Sequence, residues 1–307
     1  MQLPFRLNDL LLVIVVISSM TIAIIFPDFG SLFHAFPVYC MMILFSLSYL
    51  SIEFPSVWKT FKGQRRQILI FTIFKLAILP VIMFYVFDYF APDYALSALL
   101  LTGISTGVVA PFISNLVKGN NSFVLVFVVI TSVLTPFTLP ALIQIIIVKQ
   151  VEISLIGMIR MLMLVIFVPI LIVEFLKRFE PGLVNVLLKR QFPLSLVLFT
   201  ITNLGIFYRY APILKKEPSI IITAFVMTVV LTAILCITGI FFFWKSSVEN
   251  QLAGAIVLAN MNNVLSLVFS SEFFGTIEPL VSGIYTIPFF GLVIPLRYYY
   301  LRKTKTE

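Results

Sequence analysis

The chain has 307 residues, is 61% hydrophobic and only 11% charged, where a soluble domain carries about 25% charged residues. That composition excludes a water-soluble globular protein, and the formal net charge of +8 reads as basic loops at a membrane surface rather than a nucleic-acid interface. The two cysteines, Cys40 and Cys236, sit inside apolar runs and read as core fillers, not as a disulfide framework.

Apolar runs recur along the whole chain, near residues 9–27, 32–52, 67–88, 94–117, 122–148, 153–176, 191–210, 218–244, 250–271 and 275–300. Each is long enough to cross about 30 Å of hydrocarbon with some tilt. Spanning segments must be helices, because lipid cannot satisfy free backbone N–H and C=O groups, and the short alternating segments of a β-barrel are absent from this sequence. The expected fold is therefore all-α and polytopic, with ten transmembrane helices. The first run resembles a signal peptide, but its apolar region is too long and no small-residue cleavage site follows, so it reads as the first span. His34, the only histidine, falls near a span end and reads as interfacial.

The third run contains "FTIFKLAILPVIMF", residues 71–84, with Lys75 in its middle. An ammonium at that depth costs several kcal/mol, so Lys75 needs a partner or a function. The fourth run, "LLLTGISTGVVAPFISNLVKGN", carries Gly103, Ser105, Thr106, Gly107 and Pro111 about its midpoint. Glycine and proline weaken a helix there. The prolines of the other runs (Pro80, Pro136, Pro140, Pro169, Pro288 and Pro295) read as packing kinks. Arg160 lies close enough to the start of the sixth run to snorkel to the interface. The ninth run, "AGAIVLANMNNVLSLVFSS", places Asn260, Met261, Asn262 and Asn263 at its centre. Amides in hydrocarbon are costly without partners.

Loop charge sets the orientation. Lys59, Lys62, Arg65 and Arg66 (loop 53–66), Lys177, Arg178, Lys189 and Arg190 (loop 177–190), and Arg302, Lys303 and Lys305 of the tail all fall on one side of a ten-span chain. Asp28, Asp88, Asp93, Glu272 and Glu278 fall on the other, with Arg209, Lys215 and Lys216 as exceptions. Both termini are expected in the cytoplasm. The chain divides near residue 150 into 1–150 and 151–307, each with five spans; five is odd, so the halves are inverted, the plan of many secondary transporters. The interrupted fourth and ninth spans hold equivalent places in the two halves. Paired interruptions point to a midplane binding site, where free N–H ends can hold anions and free C=O ends cations. Ser105, Thr106, Gly107, Pro111, Asn260, Met261, Asn262 and Asn263 are the candidate substrate-binding residues. Close packing of small residues and asparagine glue between helices is the competing explanation.

The segment "LVKGNNSFVLVFVVITSVLTPFTLPALI", residues 116–143, resembles the bile acid:sodium symporter family, in which a Lys/Arg-Gly-Asn/Asp turn is followed by a helix with hydroxyls and two spaced prolines. Here Lys118-Gly119-Asn120, Thr135, Pro136 and Pro140 fall in register. "KLAILPVIMF" is similar to the family's third helix and "VLANMNNVLS" to its broken ninth. The resemblance implies a core domain in which discontinuous helices four and nine cross, a panel domain of helices one, two, six and seven, and transport of organic anions, usually with sodium. Thr106 stands where the distantly related arsenite permeases carry a cysteine, which disfavours arsenite. In ungapped register the resemblance places the sodium ligands at Ala110, Pro111, Val124, Val128 and Leu258, none with a side-chain oxygen, and a neutral glutamine ligand at Lys75; a one-turn shift, which needs a deletion before the Lys-Gly-Asn turn, would recruit Ser114 and Asn115, and Asn262 and Asn263 match amide positions of the family motif. Hard cations need oxygen ligands. Lys75 is therefore expected to replace a sodium ion, with backbone carbonyls of the unwound helices, Asn262 or Asn263, or the substrate's negative charge as its partner; a desolvated amine can also release its proton, which would make Lys75 a proton carrier, and the competing explanation is a lysine that lines a wet cavity without taking part in any cycle.

The leading expectation is a secondary transporter of a small organic anion, sodium-independent, by uniport or with coupled protons, in a bacterial cytoplasmic membrane. No metal or cofactor is expected, and nucleic acid is not a partner. The alternative is a transporter-like receptor that binds ligand without cycling, for which no soluble signalling domain is seen. The sequence has no H-E-x-x-H and no paired intramembrane aspartates, so an enzyme is not expected.

Overall fold

A computed structural model describes residues 7–147 and 154–304; the boundary between the two halves at residue 150, Lys305 and both chain ends lie outside the described residues. The described residues form helices joined by short turns. In chain order these are α1 (Leu7–Ile25), α2 (Pro27–Ser31), α3 (Pro37–Tyr49), α4 (Phe54–Ile73), a π-helical turn (Phe74–Ile78), α5 (Leu79–Phe90), α6 (Ala95–Gly103), α7 (Ala110–Leu116), α8 (Asn121–Ile147), α9 (Leu155–Phe179), α10 (Pro181–Phe207), α11 (Ala211–Lys216), α12 (Ser219–Phe242), α13 (Val248–Ala259), α14 (Asn263–Phe273), α15 (Ile277–Ile284), α16 (Thr286–Gly291) and α17 (Val293–Thr304). Among the described residues, six helices are long and apolar enough to cross a membrane: Phe54–Phe90, Asn121–Ile147, Leu155–Phe179, Pro181–Lys216, Ser219–Phe242 and Ile277–Thr304.

Two departures from the sequence reading concern the basic segments. The expected loop 53–66 is helical from Phe54, and 177–190 is helical except at Glu180 between α9 and α10. Charge lowers the hydropathy of these stretches without lowering helix propensity, since Lys, Arg and Gln are good helix formers. At Gln64 the backbone leaves helical values (φ −129°, ψ 25°), where the basic turn of α4 meets its apolar part. Trp58 stacks on Phe61 and sits under the Lys62 ammonium at 5.3 Å, an interfacial arrangement. The second expected span is also shorter than its apolar run, because Pro37 opens α3 and the chain leaves the helix after Tyr49.

The helices pack in two groups. One comprises α1, α3, α9 and α10; the other surrounds α6 and α13 with α4, α5, α8, α12 and α15, and the groups meet mainly where α8 lies on α9. Lipid-type side chains lie outward, as in α12, where Ile222, Val226 and Val229 are exposed while Ala224, Leu231 and Leu235 are buried. By contrast, α13 is buried from Gln251 to Ala259, and α6 is buried apart from Leu96. That shielding matters, because non-helical backbone survives at membrane depth only inside protein. A Cβ added to Gly254 would lie 2.6 Å from Gly239 O, so two glycines let α13 and α12 touch backbone to backbone.

The Lys118-Gly119-Asn120 turn has a clear mechanical role. Lys118 takes a left-handed conformation (φ 61°) and Gly119 N donates to Ser114 O at 2.8 Å, which ends α7. Asn120 Oδ1 accepts from Phe123 N at 3.1 Å and so starts α8. Its Nδ2 donates to Asn250 Oδ1 at 2.8 Å, tying the turn to the start of α13.

Candidate functional site

Both interrupted spans are interrupted, and the gaps meet. Between α6 and α7 the chain is extended at Ile104, and between α13 and α14 it leaves helical values at Asn260 (φ −94°, ψ 77°) and Asn262 (φ −78°, ψ 82°). The two gaps cross as an antiparallel bridge pairing Thr106 with Met261. Gly107 N donates to Asn260 O at 2.7 Å, and Asn262 N donates to Ser105 O at 2.9 Å. These bonds satisfy groups that broken helices would otherwise leave orphaned. Gly107 is required by the approach itself: a Cβ there would meet Met261 O at 2.7 Å and Asn260 O at 3.1 Å, both backbone.

Side chains complete the crossover. Thr106 Oγ1 donates to Val257 O at 3.1 Å, and Thr106 N donates to Thr131 Oγ1 at 2.9 Å. Asn262 Oδ1 accepts from Leu265 N at 3.2 Å and caps α14. Asn260 Nδ2 donates to Phe289 O at 3.2 Å, and Asn263 Nδ2 to Thr286 Oγ1 at 3.3 Å. Ser105 Oγ, Asn260 Oδ1, Asn262 Nδ2 and Asn263 Oδ1 are buried with no protein partner. Buried polar atoms are normally paired, so these four are the crossover's spare hydrogen-bonding capacity. Pro111 stands apart from them, in the first turn of α7.

Lys75 is fully buried. Its Nζ donates to Ile104 O at 2.8 Å and reaches Thr102 O at 3.5 Å. These are carbonyls at the C-terminal end of α6, where the helix dipole favours a cation. The local cause is Pro80. Its ring would clash with the carbonyl four residues back, and the chain answers with the π-helical turn, in which Leu79 N donates five residues back to Phe74 O. The extra residue sets the direction of Lys75; π-turns of this kind often mark functional positions.

Thr131 and Tyr285 are at the crossover although the sequence reading did not single them out. The first could have been found in the mid-span hydroxyl cluster Thr131, Ser132 and Thr135; Tyr285, one of many aromatics, gave no comparable signal. Tyr285 is fully buried and its hydroxyl donates to Ala259 O at 2.7 Å. Arg160 and His34 are exposed, and Cys40 and Cys236 are buried free thiols.

A family model described as the sodium bile acid symporter family matches residues 36–217, more than half of the chain. The chain belongs to that family. It is an integral membrane protein and a membrane transporter of the family. No curated protein matches it significantly. The matched stretch holds α6, α7 and Lys75 but stops short of α13 and α14.

The family's name specifies sodium, and the side chains at the positions that the resemblance assigns to its ligands carry no oxygen. The positions that the resemblance assigns to its ligands are the buried apolar residues Ala110, Val124, Val128 and Leu258, together with Pro111. Ser114, the nearest hydroxyl to this set on α7, is buried, whereas its neighbour Asn115 is exposed and turned away.

Proposed function

We propose that this member of the family carries a small organic anion by alternating access, without sodium, and that Lys75 occupies the place of a coupling cation. The observation that carries the reading is the Lys75 ammonium on Ile104 O and Thr102 O, at the broken end of α6. An ammonium and a sodium ion are both monovalent cations, and carbonyl dipoles in a low-dielectric interior hold either. The unpaired Ser105 Oγ and Asn262 Nδ2 supply donors for an anion beside the N-terminal end of α14. The site is assigned binding and passage, not chemistry, and no cofactor.

The proposed architecture is ten traverses in two inverted five-helix repeats, 1–150 and 151–307. The panel of α1, α3, α9 and α10 rocks against the core that holds the crossed helices. The termini are placed in the cytoplasm of a bacterial cell. Contacts that gather the basic segments on one side support the orientation: Lys177 Nζ donates to Ile52 O at 2.6 Å, and Lys303 lies 5.0 Å over Trp244. Labelling of single cysteines at Lys62 and Lys189 is expected to be blocked from outside, and at Asp93 to be open.

The test of function is counterflow of radiolabelled organic anions in proteoliposomes, with sodium replaced by choline or potassium. Counterflow that persists without sodium supports the reading; counterflow that requires sodium overturns it, and binding without counterflow shows a receptor. A pH gradient that drives uptake separates proton coupling from uniport.

A further inference from the structure

We propose that Phe207 is the outer gate residue of the transport cycle: its ring, at the end of α10, seats in a notch that Gly283 leaves in α15, and the contact exists only while the panel and the core are closed at that end. The inference rests on the alternating-access reading above and assigns its motion to named residues.

Phe207 is the last residue of α10 and is fully buried, whereas residues 185–201 of the same helix are half-buried or exposed. Part of its cover comes from the core. A Cβ added to Gly283 would lie 2.6 Å from Phe207 Cζ and 3.2 Å from Cε2, so the tip of the ring lies against the bare backbone of α15. Glycine weakens a helix, and here the space it leaves is filled by the ring. On the panel side, Tyr210 meets Phe207 edge-on with the ring centroids 6.4 Å apart.

A second contact of the same kind runs the other way. A Cβ on Gly157, near the start of α9 in the panel, would lie 3.7 Å from Phe273 Cε1, at the end of α14 in the core. Both contacts lie at the end of the bundle that holds Asp93, since α15 also packs on the 92–94 turn, and α14 packs on α3 and α10. At the opposite end, Lys177 Nζ on Ile52 O ties α9 to the chain just after α3, within the panel, and Asn120 on Asn250 and Tyr299 on Gln251 tie core elements to one another. The outer end is thus shut across the two groups by rings lying on glycines.

Such a contact suits a gate. Parting a ring from a glycine orphans no buried hydrogen-bonding group, whereas parting the crossover would orphan Gly107 N, Asn260 O, Asn262 N and Ser105 O. The crossover therefore moves as one piece and the seam is what opens. A contact made in one state only biases the equilibrium toward that state, so Phe207 holds the outer end shut and shortening it favours opening.

The test reads the seam directly and needs no substrate. Thr286 is buried three residues beyond Gly283, so a cysteine there reports access past the gate. Thr286→Cys is labelled with a membrane-impermeant maleimide in intact cells or inverted vesicles, whichever labels an Asp93→Cys control, with the unsubstituted protein as the control for Cys40 and Cys236. Adding Phe207→Ala is expected to raise the labelling rate about tenfold, while Ser97→Cys, buried in α6 within the core, stays unlabelled. Equal and measurable rates with and without Phe207→Ala overturn the gate and leave the rocking motion standing. No labelling of Thr286→Cys in either background overturns the gate and the alternating-access reading together. Labelling that rises at Ser97→Cys as well overturns the gate, because the variant has loosened the whole core. If Phe207→Ala fails to fold, Gly283→Ala, which places a methyl where the ring tip lies, is the measurement; it is expected to raise the rate at Thr286→Cys, and an unchanged rate overturns the proposal.

Discussion

Replacing Lys75 by methionine separates its charge from its volume. The side chain is fully buried, with Nζ 2.8 Å from Ile104 O and 3.5 Å from Thr102 O. Losing a charge-assisted bond costs about 1.5–3 kcal/mol, and orphaning Ile104 O costs about 1–3 kcal/mol more. Against this, the desolvation penalty of the ammonium, several kcal/mol for a buried ion, disappears. The terms offset, so Lys75→Met is expected to fold with stability within about 2 kcal/mol of wild type. Lys75→Ala adds a cavity, and truncating a fully buried side chain of this length costs about 2–5 kcal/mol, or about 4–10 °C at about 2 °C per kcal/mol. Thermal unfolding followed by size-exclusion of the survivors checks this ordering. In proteoliposomes both variants are expected to lose transport, and Lys75→Gln as well, because Leu258 supplies no acid to rebuild a sodium site. A folded Lys75→Met that transports at the wild-type rate would refute the assignment of Lys75 to the transport cycle. If the lysine carries protons, Lys75→Arg abolishes the pH dependence, since arginine stays protonated.

Gly107→Ala is expected to cost about 2–4 kcal/mol, from overpacking against Met261 O, 2.7 Å from the new Cβ, and from loss of the Gly107 N–Asn260 O bond; an unchanged melting temperature would mean the helices do not cross this closely. Thr131→Val removes the acceptor of Thr106 N and is expected to cost about 1–3 kcal/mol, with Thr131→Ser close to wild type. Asn120→Ala removes the cap of α8 and its link to Asn250, a loss of about 1–2 kcal/mol in the same thermal assay.

The sequence marked both broken helices because breaking a helix at membrane depth takes particular residues. Gly103, Gly107 and Pro111 weaken one helix; in the other Asn262 caps α14, while Asn260 and Asn263 tie the break to Phe289 O and Thr286 Oγ1. Lys75 was conspicuous for a similar reason, since an ammonium is the most costly group in its span. Which carbonyls hold it was not legible, because its direction depends on the π-helical turn that Pro80 imposes, and hydropathy carries no phase information at that scale. Helix in the basic segments was missed because hydropathy reads charge as loop, whereas Trp58, Phe61 and Lys62 form an interfacial turn there. Tyr285 was missed because a tyrosine among apolar residues is unremarkable until its hydroxyl is seen on Ala259 O.

A tethered cation changes what can drive transport. A sodium ion that enters on one side and leaves on the other adds its gradient, and about 2.3 kcal/mol per 100 mV of membrane potential, to each cycle. The Lys75 ammonium leaves and returns with the protein, so over a full cycle it moves no net charge and contributes no gradient. On the proposed function, net movement of the anion must then follow the anion's own gradient, unless the lysine sheds and regains a proton on opposite sides. Those two regimes divide on a single measurement. With equal anion on both faces and a pH step across the membrane, a uniporter stays at rest, whereas a proton-coupled carrier accumulates the anion.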